Sequence, residues 1–350
     1  MKACYKKYVL DFKLPAGTSR GVLVHKETWL LILRGQGRYG VGECGVFRGL
    51  SADDLPDYEE QLKWVCTHIQ LGKEALWEAL RPYPSIQFGV EQAFLSLVSK
   101  NPFVLFPSDF TEKDSPIPIN GLIWMGDEGA MREQVDQKLA LGYNCIKMKI
   151  GATDFNREVA ILKTIRKRYT KDEIVLRVDA NGAFTPKEAL QKLTLLSEFD
   201  LHSIEQPIKQ GNPREMKRLC AISPIPIALD EELIGIFEAH EKEELLQTIR
   251  PQFIILKPSL VGGYKGSAEW ISLAEKQHIG WWITSALESN IGLNAIAQWT
   301  FTLKNKLPQG LGTGSLFTNN FASPLTVEKG NLVYKKNKAW ETTIIDSLCT

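Results

Sequence analysis

The sequence predicts an α/β barrel preceded by a smaller α+β domain, on three observations. First, a series of short apolar runs ends each time in a charged residue: Lys147-Met148-Lys149, Asp179, Glu205, Asp230 and Lys257. Second, those ends recur about every 25 to 30 residues, the length of one strand-plus-helix unit. Third, residues 1–43 read as short strands punctuated by Gly and Pro, a meander with no helices between.

A chain of 350 residues, 44% hydrophobic and 24% charged, is long enough for a barrel and one further domain. Its net charge of +1 offers no electrostatic footprint for nucleic acid or an anionic membrane surface, and no apolar run reaches bilayer length. Small-molecule chemistry fits that balance, and a homo-oligomer is compatible with it. Six cysteines are scattered without Cys-x-x-Cys spacing, so neither a zinc site nor a disulfide framework is expected, and the cytoplasm is the expected setting. Asp11 and Lys13 interrupt the N-terminal apolar residues, which argues against a leader.

In chain order, 8–10, 21–24, 28–33 and 40–43 are expected strands of an antiparallel meander, with 15–20 and 43–50 as its mobile loops. The pattern turns helical from Asp53, where Ser51, Asp53 and Asp54 offer capping side chains before Leu55, Tyr58, Leu62 and Val65. A second helix is expected over 89–99, then a Pro-rich linker over 101–119. The domain boundaries that follow are 1–112 for the α+β domain, 113–318 for the barrel, and 319–350 for a segment returning to the first domain. Barrel strands are expected at 117–123, at the five charged ends, at 281–285 and at 309–313. Helices are expected over 132–141, 156–169, 186–198, where Pro186 suits a first turn, and 263–277. The last strands, 325–327 and 332–334, are too short to stand alone and should pack on the N-terminal sheet.

A barrel gathers the C-terminal ends of its strands at one mouth, so the series Lys, Asp, Glu, Asp, Lys should converge there. Three carboxylates about 4 Å apart would repel by roughly 4 kcal/mol per pair at an effective dielectric near 20, which calls for a cation. Mg²⁺ suits hard oxygen ligands and needs no His or Cys, so Asp179, Glu205 and Asp230 are its candidate ligands. Strand alternation puts Lys147 and Lys149 on one face, pointing inward, where lysines are costly unless something uses them. Positive charge nearby favours a neutral amine, so one lysine of the site can act as a base. The chemistry expected is removal of a proton next to a carboxylate.

Each piece alone has a blander account. Asp179-Ala180-Asn181-Gly182 could be an Asx turn, Arg177 and Asp179 a bare ion pair, and Glu205 or Asp230-Glu231 acids favoured at a helix start. The segment 284–290, with Ser285, Glu288 and Asn290, could be a capped helix start or a carboxylate-binding wall. The ordered set is what persuades.

That set, K-M-K at 147–149, D-A-N-G at 179–182, E-Q-P at 205–207, D-E-E at 230–232 and K-P-S-L-V-G-G at 257–263, resembles the muconate-cycloisomerase-like branch of the enolase superfamily over nearly the full chain. The resemblance implies a capping domain over a modified (β/α)7β TIM-type barrel, with Mg²⁺ on Asp179, Glu205 and Asp230. It implies acid/base roles for Lys149 and Lys257, supporting positions for Lys147, Arg177, Asn181 and Glu231, and a capping loop after Gly42-Glu43. Ser285, Glu288, Asn290, Gly312 and Thr313 match the region that meets a small carboxylate substrate. The implied activity is a carbon-oxygen lyase acting on a succinyl-bearing hydroxycyclohexadiene carboxylate. Relatives that take cationic dipeptides carry Asp-x-Asp at the eighth strand, where this chain has Leu311-Gly312-Thr313-Gly314-Ser315. A racemase or epimerase of an N-acylated amino acid is the enzyme rival, and a non-catalytic barrel binding an acidic metabolite is the rival of another class.

Overall fold

The computed structural model describes residues 1–18, 21–151 and 154–341. Strands β1 (Lys2–Thr18), β2 (Gly21–Gly35) and β3 (Arg38–Cys44) form a three-stranded antiparallel sheet. Three strands stand where four were expected, because 21–24 and 28–33 are two parts of β2. The β1–β2 ladder shifts register between Asp11 and Ala16, a bulge that bends the ribbon without breaking it. Ser19 and Arg20 of the expected loop lie outside the described residues.

Alternation along β2 divides the core. Trp29, Leu31 and Leu33 pack against the helices α1 (Tyr58–Thr67), α2 (Lys73–Ala79) and α3 (Pro84–Val98), while Leu30 and Ile32 meet Phe103, Ile291 and Phe321 on the other side. Strand β3 lies so close to α3 that a methyl on Gly42 would stand 1.9 Å from the Gly89 carbonyl oxygen. Helix α1 begins at Tyr58 rather than Asp53, since the expected caps are used elsewhere. Asp53 accepts from the N and Oγ of Ser85 at the start of α3, and Asp54 accepts from Gly49 N and Arg48.

After α4 (Asp109–Glu112) and β4 (Ile117–Pro118), seven parallel strands follow in spatial order: β5 (Gly121–Ile123), β6 (Cys145–Lys149), β7 (Val175–Asp179), β8 (Ser203–Glu205), β9 (Ile227–Leu229), β10 (Phe253–Leu256) and β11 (Gly280–Ile283). Between them run α5 (Glu128–Ala140), α6 (Phe155–Arg168), α7 (Pro186–Leu196), α8 (Pro213–Ile222), α9 (Ala239–Ile249) and α10 (Gly263–Lys276), and α11 (Asn290–Thr302) follows β11. The expected eighth strand is reduced to two bridging residues: Gln309 pairs with Ile119 and Gly310 with Thr284, which closes the ring.

The last strands, β12 (Leu325–Glu328) and β13 (Asn331–Tyr334), do not join the N-terminal sheet as expected. They pair with each other, and β13 pairs with β4, which departs from the barrel strand at Pro118 and so leaves an edge open to it. The stretch before them reaches the N-terminal sheet instead: Asn319 bonds the Asp11 N and the Val9 carbonyl, and Phe321 packs with Leu30, Ile32 and Val41.

Cys4 is disulfide-bonded, contrary to expectation. Cys44, Cys66, Cys145 and Cys220 are free, and Cys349 lies outside the described residues. No helix among the described residues is long and apolar enough to cross a membrane.

Candidate active site

Barrel register assembles the site. Lys149, Asp179 and Glu205 are direct cross-strand neighbours on β6, β7 and β8, and Lys147 pairs with Arg177 one layer deeper. Asp230 follows β9 and Lys257 follows β10. The pleat turns all of them inward, and burial is deep: Asp179 is 0% exposed, Glu205 and Asp230 2%, Lys149 9%.

The Lys147 ammonium is shared between Asp179 Oδ2 at 2.8 Å and Glu205 Oε2. Lys149 Nζ lies 2.6 Å from Asp179 Oδ2 and 2.7 Å from Asn181 Oδ1, whose amide nitrogen donates to Glu231 Oε1 at 2.9 Å. Across the ring, Lys257 bonds Asp230 Oδ2.

Burial opposes every charge here, and neighbours decide the outcome. It pushes the Asp179 carboxyl up, but Lys147 and Lys149 hold that group well below the usual carboxylate range. Asp230 is likewise lowered, by Lys257 against burial. Burial and then the Asp179 charge drive Glu205 well above its ordinary value. Burial pulls Lys147 and Lys257 down, and the facing carboxylates more than reverse this, so both ammoniums are strengthened.

Three lysines thus face three acidic side chains, and among the described residues no three His, Cys, Asp or Glu side chains are grouped as a ready metal shell. The donor set still fits a divalent cation. It offers three oxygen ligands from adjacent strand ends, and Glu205 Oε1 is buried without a partner. Positive charge beside Glu205 would relieve both its repulsion by Asp179 and that orphaned oxygen.

Above these groups lies a cavity of about 270 Å³. Lys147, Lys149, Lys257 and Asn181 face it from the barrel, Ser285, Gly312 and Thr313 form a wall, and Phe47 and Leu50 reach in from the N-terminal domain. Thr313 Oγ1 donates to Ser285 Oγ at 2.8 Å. Arg48 of the expected mobile loop turns away to pair with Glu27 and Asp54.

Other expected positions do not line the cavity. Arg177, one layer below Asp179, stacks on Trp282 at 4.1 Å and donates to the Pro308 carbonyl, so it supports the barrel floor rather than touching a ligand. Glu288 lies behind the wall, accepting from Ser259, Ser285 and Ala286 N, and Asn290 holds the Phe321 carbonyl. Glu231 is reached through Asn181.

Sequence reasoning missed three features. Gln206 Oε1 accepts from the N–H groups of Asp230 and Glu232, with the Gln206 backbone held at a φ of 39°. Gln206 stands in the E-Q-P motif at 205–207, where no role was expected of it. Glu43, expected only as the start of a loop, spans 246 positions to bond Ser289, and Lys138 and Asn120 line the cavity without any local motif.

Residues 130–337 match the enolase C-terminal domain-like family, and this chain belongs to it. It is an enzyme fold of the enolase superfamily. Over 95% of its length the chain is 46% identical to the o-succinylbenzoate synthase of Desulfotalea psychrophila (strain LSv54 / DSM 12343), of which it covers 98%. The crystal structure of MenC from D. psychrophila LSv54 aligns with a TM-score of 0.85 and 42% identity, covering 95% of this chain and 99% of that one. A dipeptide epimerase from Enterococcus faecalis V583, crystallised with Mg and the dipeptide L-Leu-L-Tyr, shares the fold at a TM-score of 0.81 and 20% identity over 97% of each chain.

Proposed function

We propose that this chain is an o-succinylbenzoate synthase, a hydro-lyase that converts 2-succinyl-6-hydroxy-2,4-cyclohexadiene-1-carboxylate to 2-succinylbenzoate in menaquinone biosynthesis. The observation that carries this is the near-full-length likeness to the Desulfotalea synthase. The chemistry is supported by two inward lysines, the buried Lys149 at the end of β6 and the half-buried Lys257 just after β10, on opposite sides of the ring and flanking three acidic side chains.

Asp179, Glu205 and Asp230 are the residues that would hold Mg²⁺, which when bound supplies positive charge to the substrate's ring carboxylate. Lys149, as the amine, takes the proton from the carbon bearing that carboxylate, and then delivers it to the departing hydroxyl. One C–H and one C–O bond break, water leaves, and the ring becomes aromatic. Lys257 remains an ammonium on the opposite face and offsets the negative charge of the deprotonated acid. Asn181 steers Lys149, and Lys147 neutralises Asp179 and Glu205. Phe47 and Leu50 keep water from the reacting face. Such a biosynthetic enzyme is placed in the cytoplasm.

The test is to supply the cyclohexadiene acid with Mg²⁺ and follow the aromatic product. Wild type should turn over and stop on chelation, and Lys149→Ala should lose at least about 10³-fold while keeping its circular dichroism. Activity of Lys149→Ala within tenfold of wild type rules it out as the base. A wild type that makes no product, yet exchanges the α-proton of N-succinylamino acids, is a racemase instead.

A further inference from the structure

The cavity extends past the lysines of the barrel. Its lining continues along the seam between β5 and 310–313 to Gln137 and Lys138 on α5 and to Tyr143. Sequence explains the opening: beyond the Ile119–Gln309 bridge no ladder pair among the described residues joins β5 to 310–313, and Gly121, Gly310 and Gly312 present no side chains there. A methyl on Gly121 would meet the aliphatic carbons of Lys138 at 3.2 Å, so the lysine stem runs along the strand where glycine leaves room.

Charge along this cavity is one-sided, since its charged lining residues are all lysines. Lys147, Lys149 and Lys257 are paired with Asp179, Glu205 and Asp230. The Lys138 ammonium makes no ion pair or hydrogen bond among the described residues; it stands 5.2 Å from the Tyr143 ring centroid. Nearby, Asn120 is 6% exposed and its Oδ1 is buried without a partner. A shielded ammonium without a counter-ion and a buried amide oxygen without a partner are both unfavourable, and burial indeed pulls the Lys138 ammonium down from its ordinary value.

We infer that Lys138 and the Asn120 amide form a second carboxylate site, which takes the far end of a dicarboxylate whose first carboxylate lies over Asp179, Glu205 and Asp230. One ligand group satisfies both residues: a carboxylate accepts from the ammonium and from the Asn120 NH2, once the amide turns over to present it. In the lyase reading, on which the identity of the ligand rests, that group is the terminal carboxylate of the succinyl tail. Lys138 then sets substrate choice without touching the reacting carbons.

The test compares wild type, Lys138→Met and Lys138→Arg with Mg²⁺, using the cyclohexadiene acid for kinetics and two ligands for calorimetric binding: 2-succinylbenzoate, and 2-butanoylbenzoate, which lacks the terminal carboxylate. Lys138→Met should raise KM and the 2-succinylbenzoate Kd by roughly tenfold to a hundredfold, the loss of one charge-assisted hydrogen bond. KM should rise by more than kcat falls, Lys138→Arg should restore part of the loss, and 2-butanoylbenzoate should bind both proteins alike. An unchanged 2-succinylbenzoate Kd, or equal weakening of both ligands, overturns the site and leaves Lys138 only packed on Tyr143. A wild type that binds 2-succinylbenzoate but does not dehydrate, with Lys138→Met still selective against the dicarboxylate, upholds the site and refutes the lyase. A wild type that binds neither ligand overturns both.

Discussion

Replacing Glu43 with Ala tests whether a single buried carboxylate holds the N-terminal sheet against the barrel. Glu43 is 0% exposed at the end of β3. Its Oε1 accepts from Ser289 N at 2.8 Å and Thr28 Oγ1 at 2.9 Å, and its Oε2 accepts from Gly292 N at 2.8 Å and from the Ser289 hydroxyl. Ser289 and Gly292 stand at the start of α11, where backbone N–H groups lack helical partners. Alanine removes both acceptors. The hydroxyls can rotate, but two buried N–H groups stay unsatisfied, at about 1–3 kcal/mol each. Against this, burial raises the carboxyl's pKa, so losing the group recovers part of a desolvation cost. We expect a net loss of about 3 kcal/mol, a large share of the roughly 5–15 kcal/mol that stabilises a typical protein. Urea unfolding followed by tryptophan fluorescence reads it directly, with nine tryptophans as probes. Glu43→Gln keeps one acceptor oxygen and should recover about half of the loss. A midpoint for Glu43→Ala within about 0.5 kcal/mol of wild type would show that the carboxylate does not tie the two parts together.

Two further outcomes concern the packing of α3, against β3 and against α10. Gly42→Ala places a methyl 1.9 Å from the Gly89 carbonyl oxygen, a backbone atom that cannot swing aside, so β3 must separate from α3. The expected cost is about 3 kcal/mol or more, read as a lower Tm, and an unchanged Tm refutes the close approach. Glu91, 6% exposed on α3, accepts from the N–H groups of Tyr264 and Lys265 at the start of α10, and burial pushes its carboxyl up to about 7 from 4.5. With the folded value above the unfolded one, the folded chain binds the extra proton, so this contribution is full below pH 4.5 and is lost as pH rises through about 7. Wild type should therefore lose up to about 3 kcal/mol relative to Glu91→Gln across that window, and parallel urea profiles at the two ends would contradict it.

The candidate metal set was legible because it repeats. Asp179, Glu205 and Asp230 each close an apolar run, and parallel strands place such ends side by side by construction. The helices were legible where one apolar face recurs, as over Phe155–Arg168 and Gly263–Lys276. Ends and edges were not. The eighth strand shrank to Gln309 and Gly310, β13 chose β4, and instead of capping α1 Ser51 and Asp54 closed a turn while Asp53 held the start of α3. In each case the local pattern allowed two partners, and packing selected one.

By itself the sequence determined the strand-helix rhythm, the order of charges at the barrel mouth and hence the class of chemistry, because these depend on periodicity within one unit. Only the tertiary structure decided which of those charges pair, that Arg177 serves the floor while Asn181 faces the cavity, and that Glu43, Glu91 and Lys138 matter at all. These residues owe their environment to contacts with other parts of the fold, and burial, which sets the worth of every buried charge here, exists only once the chain has closed on itself.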